Sequence, residues 1–391
     1  PFTRTDMSKE SEEQTAAMLE SFYTTYLDDV SRSREVPKED LKMVADSMLA
    51  TNAKDALHYD LITDTKYFDQ VIEELKELTG VDSAEKLKSV RLNAYLASTE
   101  SLYKGSERIA VVFADGEIIN GKADVNRIGS ESLSRQLRKL RQDDRTKAIV
   151  LRINSPGGSS LASDVIWREV VQTSEEKPII ASMSDMAASG GYYIAMACDS
   201  IVAQPMTLTG SIGVFAMHFN AKKLLEDKMG ITTDVVKTGQ LSDVFTITRP
   251  FTDYEKALFQ KSADDTYQTF LKKAANGRDL SVQEVDQVAG GRIWSGVQAK
   301  EKGLIDELGG LEEAIGMAAS AAGLEEGDYK LRYYPRQKTF VEQLLAELTG
   351  DYEESKIKST LGDFYPLIRP LRNLQHYQGL QMRLPFDITI Q

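Results

Sequence analysis

Apolar and polar positions follow two rhythms along this chain. Up to about residue 79 the apolar residues recur at helical spacing, as in Met18, Leu19, Phe22, Tyr23, Tyr26 and Leu27. Ser8-Lys9-Glu10-Ser11-Glu12 has the form of a capped helix start. Lys38–Leu49 is a second helix opened by Pro37, and Tyr67–Leu78 a third closed by Gly80. Val81–Ser101 is a polar connector whose last part, Val90–Leu96, reads as an edge strand. From Arg108 the pattern changes to short continuous apolar runs, the mark of strands covered on both faces. Arg108–Phe113, Ala148–Asn154, Lys177–Met183, Ser200–Gln204 and Thr232–Val236 are such runs. Glu131–Leu140, Ser160–Ser174 and Asn220–Met229 are helices between them, and a short return strand, Ile118-Ile119, follows the turn Asp115-Gly116-Glu117. The alternation predicts an α/β fold with a parallel sheet and crossover helices. Beyond it lie the helices Thr252–Ala275, Val282–Val288, Gly296–Lys302, with Ser295 as N-cap and Gly303 as stop, and Leu311–Ala322. The tail from Tyr329 reads as a strand, Lys330–Tyr334, a helix, Phe340–Leu348, and a loosely alternating end, Leu380–Gln391.

Three strand ends break into small residues. The run Lys177–Met183 leads into Met186-Ala187-Ala188-Ser189-Gly190-Gly191-Tyr192, after which helical residues resume. Small side chains at a strand-to-helix junction permit a sharp turn and close backbone approach. They leave the Ser189 hydroxyl uncrowded beside free N–H groups, the setting a nucleophile needs when it builds an oxyanion next to itself. An ordinary N-cap serine in a tight turn would use the same residues. The run Ala148–Asn154 ends in Ser155-Pro156-Gly157-Gly158-Ser159, whose glycines leave backbone N–H groups bare. Neighbouring parallel strands bring both turns to the carboxyl edge of one sheet, where open α/β sheets bind ligands. Thr209-Gly210-Ser211-Ile212-Gly213 is a third such turn that could close the same pocket.

Composition narrows the function. The 391 residues allow two or three domains, and a net charge of −13 argues against nucleic acid and against adsorption to anionic lipid. The one cysteine, Cys198, sits in an apolar helix end and reads as core. Three scattered histidines, His58, His218 and His376, make neither a metal site nor a His-based triad, so no metal or cofactor is expected. No run of about 18 apolar residues marks a membrane span. The chain opens on Pro1 rather than methionine, which reads as a processed end.

The first fifty-odd residues resemble a diverged copy of Pro250–Asp306. Pro1-Phe2-Thr3 matches Pro250-Phe251-Thr252, Tyr23–Leu27 matches Tyr267–Leu271, and Ala53-Lys54-Asp55 matches Ala299-Lys300-Glu301, all at nearly one offset. The second copy has an α/β core before it and the first has none, so the expectation is one and a half repeats.

Together with Gly291-Arg292-Ile293-Trp294-Ser295-Gly296, these turns resemble the signal peptide peptidase A (protease IV) family, serine peptidases of family S49. The likeness covers most of Arg108–Gly310, and Pro1–Leu78 resembles the linking region of the long, duplicated form. It implies a crotonase/Clp-protease-like fold and a Ser–Lys dyad, with Ser189 as nucleophile and the N–H groups of Gly158 and Gly190 as oxyanion hole. Gly157 and Ser211 are then candidates for substrate contact. It further implies a hydrophobic signal peptide as substrate, a homo-oligomer (a tetramer in the long form), and a place on the periplasmic side of a bacterial inner membrane. The expected division is a helical remainder and connector at 1–100, the catalytic domain at 101–325 and an extension at 326–391. An apolar groove for extended peptides could draw on Met183, Met186, Tyr192, Tyr193, Phe215 and Met217, although most of these also read as core.

One family element is missing. Where single-repeat members carry the lysine base, in a segment resembling Lys237–Asp243, this chain has Ser242. The duplicated form keeps its lysine in the first repeat, just ahead of the residues matching Pro1-Phe2. Lys237 is the nearest remaining candidate, and a solvated lysine at a strand end is its simpler reading. The expectation is a chain with the serine half of the site and little activity alone. A crotonase-type acyl-CoA enzyme and a non-catalytic scaffold repeat are the alternatives; CoA binding would favour the first and an inert Ser189 the second.

Overall fold

The computed structural model describes residues 6–99, 105–123, 126–325, 327–335 and 379–383. They fall into two compact units, one within Thr15–Lys104 and one formed by Pro1–Gln14 with Gly105–Gln391.

The first unit is helical, α1 (Lys9–Arg34) entering it from Thr15 and α2 (Lys38–Asp46), α3 (Ala53–His58), α4 (Phe68–Thr79) and α5 (Leu92–Thr99) following. The Asn52 side chain caps α3 by accepting from the Lys54 and Asp55 amides, and Gly80 closes α4 with φ 65°. The strand expected at Val90–Leu96 is not there. The sequence from Leu92 forms α5, whose first turn is closed by the Tyr95 amide on the Arg91 carbonyl at 3.0 Å. Leu-Asn-Ala-Tyr-Leu-Ala carries no β-branched residue, and a strand would have needed a sheet edge to join.

The second unit runs β1 (Glu107–Asp115), β2 (Glu117–Ile119), β3 (Arg127–Gly129), α6 (Ser130–Arg141), β4 (Thr146–Ser155), β5 (Gly157–Ser159), α7 (Ser160–Ser174), β6 (Ile179–Ala188), α8 (Gly190–Ala195), β7 (Ser200–Ala203), β8 (Leu208–Gly210) and β9 (Phe215–Met217). It continues with α9 (Asp253–Arg278), α10 (Val282–Val288), β10 (Ile293–Ser295), α11 (Gly296–Glu301), β11 (Glu307–Leu308), α12 (Leu311–Ala321), β12 (Tyr329–Tyr334) and β13 (Gly379–Arg383). The larger sheet has the order β10-β8-β6-β4-β1-β12, with β7 on β6 and β11 on β7. Its pairs are parallel except β10 with β8. A second, smaller sheet has the order β3-β2-β5-β13-β9.

Strand β4 shows why the apolar runs are continuous. Ile149, Leu151 and Ile153 enter the main core with α6, α7 and α9, while Ala148 and Val150 on the opposite face meet Ala314, Ile315 and Ala318 of α12. Both faces of the strand are dry, so the sequence does not alternate. Buried charge is paired, as at Glu169 of α7, which accepts from Arg138 and Arg141 of α6 at 2.6 and 3.1 Å.

The repeat is visible in the helices. Helices α1 and α9 are both 26 residues long, and the steps from Lys9 to Asp253 and from Lys38 to Val282 are both 244 residues. Helices α3 and α11 have six residues each and start 243 apart, at 53 and 296.

Two expectations between β9 and α9 are corrected. Thr232–Val236 is not a strand. Its residues are exposed, Val236 fully so, and they join no sheet. A strand-like sequence without a paired edge gains nothing from extension. The helix expected at Asn220–Met229 is reduced to a short segment with π-helical geometry at Leu224–Lys228. The helix expected at Phe340–Leu348 lies outside the described residues.

Candidate active site

Strands β4 and β6 are parallel neighbours in register from Ile149↔Ile179 to Ile153↔Met183. A shift then brings Ser155 opposite Ala187. Both strands therefore end at one edge, as the two small-residue turns require. Arg152 secures the shift. Its guanidinium donates to the Ser182 and Ser184 hydroxyls and the Met183 carbonyl at 2.8, 3.0 and 2.9 Å. This arginine was not singled out from sequence, because an arginine in an apolar run carries no local signal of its partner.

Ser189 joins β6 to α8 with φ 53° and ψ −111°, a conformation costly for any residue with a Cβ. The surroundings hold it there. Its amide donates to the Gly210 carbonyl at 2.8 Å, and its carbonyl accepts from the Tyr193 amide at 2.8 Å. The hydroxyl makes no cap bond to α8, so the N-cap reading is not the one the fold uses. It donates instead a long hydrogen bond, 3.4 Å, to the Gly213 carbonyl. A serine held on a sharp, strained strand-to-helix turn is also the device that presents the nucleophile in the α/β-hydrolase fold.

The glycines meet this turn by backbone contact. Strand β5 leaves the end of β4 and pairs with β2 at Ile118↔Gly158, so closely that a Cβ on Gly158 would lie 2.0 Å from the Ile118 carbonyl oxygen. Gly157 has φ 99°, and a Cβ there would lie 2.7 Å from the Gly190 nitrogen. A Cβ on Gly190 would in turn fall 2.6 Å from the Ser163 hydroxyl and 3.1 Å from the Gly157 Cα. The structure thus brings Gly157, Gly158, Ser189 and Gly190 together.

The third turn closes on the same place. Gly210 and Gly213 supply the two carbonyls that hold Ser189. Ser211 lies between them with φ 50°, buried, and its amide is committed to the Arg292 carbonyl at 2.7 Å. Its described backbone bond supports the turn rather than reaching outward. The Gly291–Gly296 segment backs it, since β10 pairs with β8 and Trp294 Nε1 donates to the Val288 carbonyl at 2.9 Å.

Other candidates separate. Met183, Tyr192 and Tyr193 are core, the Tyr192 hydroxyl donating to the Leu304 carbonyl at 3.0 Å. Phe215 and Met217 lie on β9, beside β13. Burial pushes the Cys198 thiol up, which leaves it inert. The Lys237 Nζ is paired with Asp243 at 2.8 Å. That carboxylate is held far below the usual range, first by Arg249 and then by Lys237. Lys237 is therefore tied into a surface ion cluster and does not serve Ser189.

The sequence profile of peptidase family S49 matches residues 2–82 and 171–325, more than half of the chain. The chain belongs to peptidase family S49. The Clp protease profile covers residues 104–209, the stretch from the lead-in to β1 through β8, so the S49 chain has an α/β fold of the ClpP/crotonase kind. It is 40% identical to the chloroplastic serine protease SPPA of Arabidopsis thaliana, over 82% of this chain and 48% of that one. It is 33% identical to protease 4 of Salmonella typhi over 90% of this chain and 57% of that one. A putative protease of Synechocystis is 38% identical over 57% of this chain and 79% of its own. The chain spans about half the length of the first two relatives.

Proposed function

We propose that this chain carries the nucleophile and oxyanion hole of a serine peptidase acting on extended apolar peptides. The observation that carries the reading is Ser189. It has φ 53° at the sheet edge, its hydroxyl is not spent on capping α8, and its turn is in contact with the glycine backbone of β5. Ser189 Oγ would attack the peptide carbonyl, and the N–H groups of Gly158 and Gly190 would bind the oxyanion. Gly157 keeps the two turns in contact by lacking a side chain.

A serine needs a base, which in the related peptidases is a lysine. Among the described residues no lysine bonds the Ser189 hydroxyl; its partner is the Gly213 carbonyl. The reading therefore assigns the base to a lysine that the described contacts do not supply. It expects turnover by this chain alone to lie orders of magnitude below that of a complete dyad. Signal peptides are the substrate class the reading favours, in a homo-oligomeric ring at a membrane surface. No described helix is long and apolar enough to cross a membrane.

The test is labelling by a fluorophosphonate probe. Ser189 is expected to be modified in the folded chain, orders of magnitude more slowly than in a peptidase with its dyad complete, and Ser189→Ala to abolish labelling without changing the melting temperature. Labelling that persists in Ser189→Ala, or that never occurs at Ser189 in the folded chain, refutes the reading.

A further inference from the structure

Strand β13 lies in the slot that an extended peptide would need. It pairs antiparallel with β5 on one side, Gln381↔Ser159, Met382↔Gly158 and Arg383↔Gly157. On the other side it pairs antiparallel with β9, Gly379↔Met217, Leu380↔Ala216 and Gln381↔Phe215. Strands β5 and β9 do not pair with each other. Without β13 they would be two facing edges one strand apart, about 10 Å, each with a row of free N–H and C=O groups. Addition of a strand to such edges is a standard way of holding a peptide.

The contacts reach the candidate catalytic backbone. A Cβ on Gly157 would lie 2.0 Å from the Met382 carbonyl oxygen, and one on Gly190 would lie 2.9 Å from it. The Met382 carbonyl thus lies against Gly190, one of the two proposed oxyanion donors, and against Gly157, which precedes the other. Ser189 is 1% exposed with this strand in place. The Met382 side chain is buried in the main core, and the next side chain is held by charge: Arg383 Nη1 donates to Glu117 Oε1 at 2.9 Å, both side chains being only 14% exposed. Glu117 opens β2, the strand that supports Gly158.

We propose that Gly379–Arg383 is an internal peptide ligand of the site. In this arrangement Glu117 is a specificity-determining residue that selects a basic side chain directly after a buried apolar one. The inference rests on the peptidase reading for what the groove does, while the groove and its selectivity can be measured without catalysis. A peptide with an apolar–basic pair would compete with β13 for one slot. The chain's own strand would keep the site closed until a better ligand displaced it.

The experiment uses the full-length chain carrying Ser189→Ala and a fluorescent peptide, Gln-Gly-Leu-Gln-Met-Arg-Leu, read by anisotropy. A second peptide has Glu in place of Arg. The parent chain is expected to bind both weakly. Arg383→Glu sets its own strand against Glu117 and should bind the Arg peptide about tenfold or more tightly than the parent does. Glu117→Lys frees the slot in the same way but should prefer the Glu peptide. The double variant restores an opposite-charge pair and should bind both weakly again. Equal binding by the parent and Arg383→Glu, or no switch of preference with Glu117→Lys, overturns the proposal. Should charge reversal unfold the chain, Arg383→Gln with the Arg peptide carries the same comparison, at a gain of a few fold, and no gain overturns it. Fluorophosphonate labelling of the Ser189-containing chain with Arg383→Glu, in which the slot is open, reads the other question. Peptide exclusion without labelling retires the peptidase reading alone, and labelling without exclusion retires this inference alone.

Discussion

Adding a single methyl group at Gly158 tests the site and its scaffold at once. In Gly158→Ala the new Cβ would lie 2.0 Å from the Ile118 carbonyl oxygen and 2.7 Å from the Ile118 nitrogen, whereas real Cβ atoms essentially never come within 3.0 Å of such neighbours. Both obstacles are backbone, so no side chain can swing away, and β2 and β5 must part by about 1 Å. Overpacking of this kind costs ~1–3 kcal/mol. At ~2–4 °C per kcal/mol for a unit of this size, the melting temperature should fall by about 2–12 °C. The same displacement carries the Gly158 N–H away from the proposed oxyanion position. Misplacing a reacting group by about 1 Å, or losing one oxyanion donor, costs on the order of 100-fold in rate. The assay is the rate of Ser189 modification by a fluorophosphonate at a temperature where both proteins are folded, beside a thermal melt. Labelling at the parent rate with the melt lowered as expected would show that Gly158 supports the sheet but does not face the reacting centre. An unchanged melt would refute the packing argument itself.

Three further outcomes concern the scaffold. The Arg278 side chain is only 7% exposed and donates twice to Asp306, at 2.8 and 2.6 Å, while Asp306 also accepts from the Ile201 amide. Asp306→Ala should cost about 3 kcal/mol, the lower end for an orphaned buried charge because Asp306 is itself about a third exposed, read by urea denaturation. Glu255 is held at a pKa of about 2, chiefly by hydrogen bonds from Arg249 and then from the Thr252 amide, against about 4.3 for an unfolded glutamate. Its contribution is therefore present in full above about pH 4.3 and is lost as pH falls towards about 2. The melting temperatures of the parent and Glu255→Gln should differ at pH 7 and converge by pH 2; a gap that stays constant refutes this. Gly316 is exposed within α12 with nothing near its missing Cβ, so Gly316→Ala should raise stability by ~0.5–1 kcal/mol, seen as a melt higher by a few degrees.

Residues that act through their neighbours in sequence were the legible ones. Ser160–Ser174 and Val282–Val288 form helices with the expected bounds, and Ser295 caps α11, because periodicity and capping are local. Ser189 stood out for the same reason: the small residues that make its turn adjoin it in the chain. Two of the failures are matters of partnership. Thr232–Val236 has the composition of a strand but no edge to join, and Leu92–Thr99 became helical in the absence of one. Strand β13 shows the converse. Leu380-Gln381-Met382-Arg383 alternates weakly, and only the free edges of β5 and β9 turn that alternation into a strand. The pairing of Glu117 with Arg383 spans 266 residues, and neither position announces the other.

That long reach has a consequence for how the protein is made. The smaller sheet draws its strands from both extremes of the α/β unit, and β13 is translated after every other described element. While the ribosome is still working through the intervening residues, the larger sheet can already assemble from its own strands, but the slot between β5 and β9 stands vacant. Closing it waits on a chain segment more than 200 residues downstream of β5, among the slowest kinds of contact to form. A nascent molecule would pass through a window in which the slot between β5 and β9 is open to any passing extended segment, including that of a sister chain emerging from the same polysome.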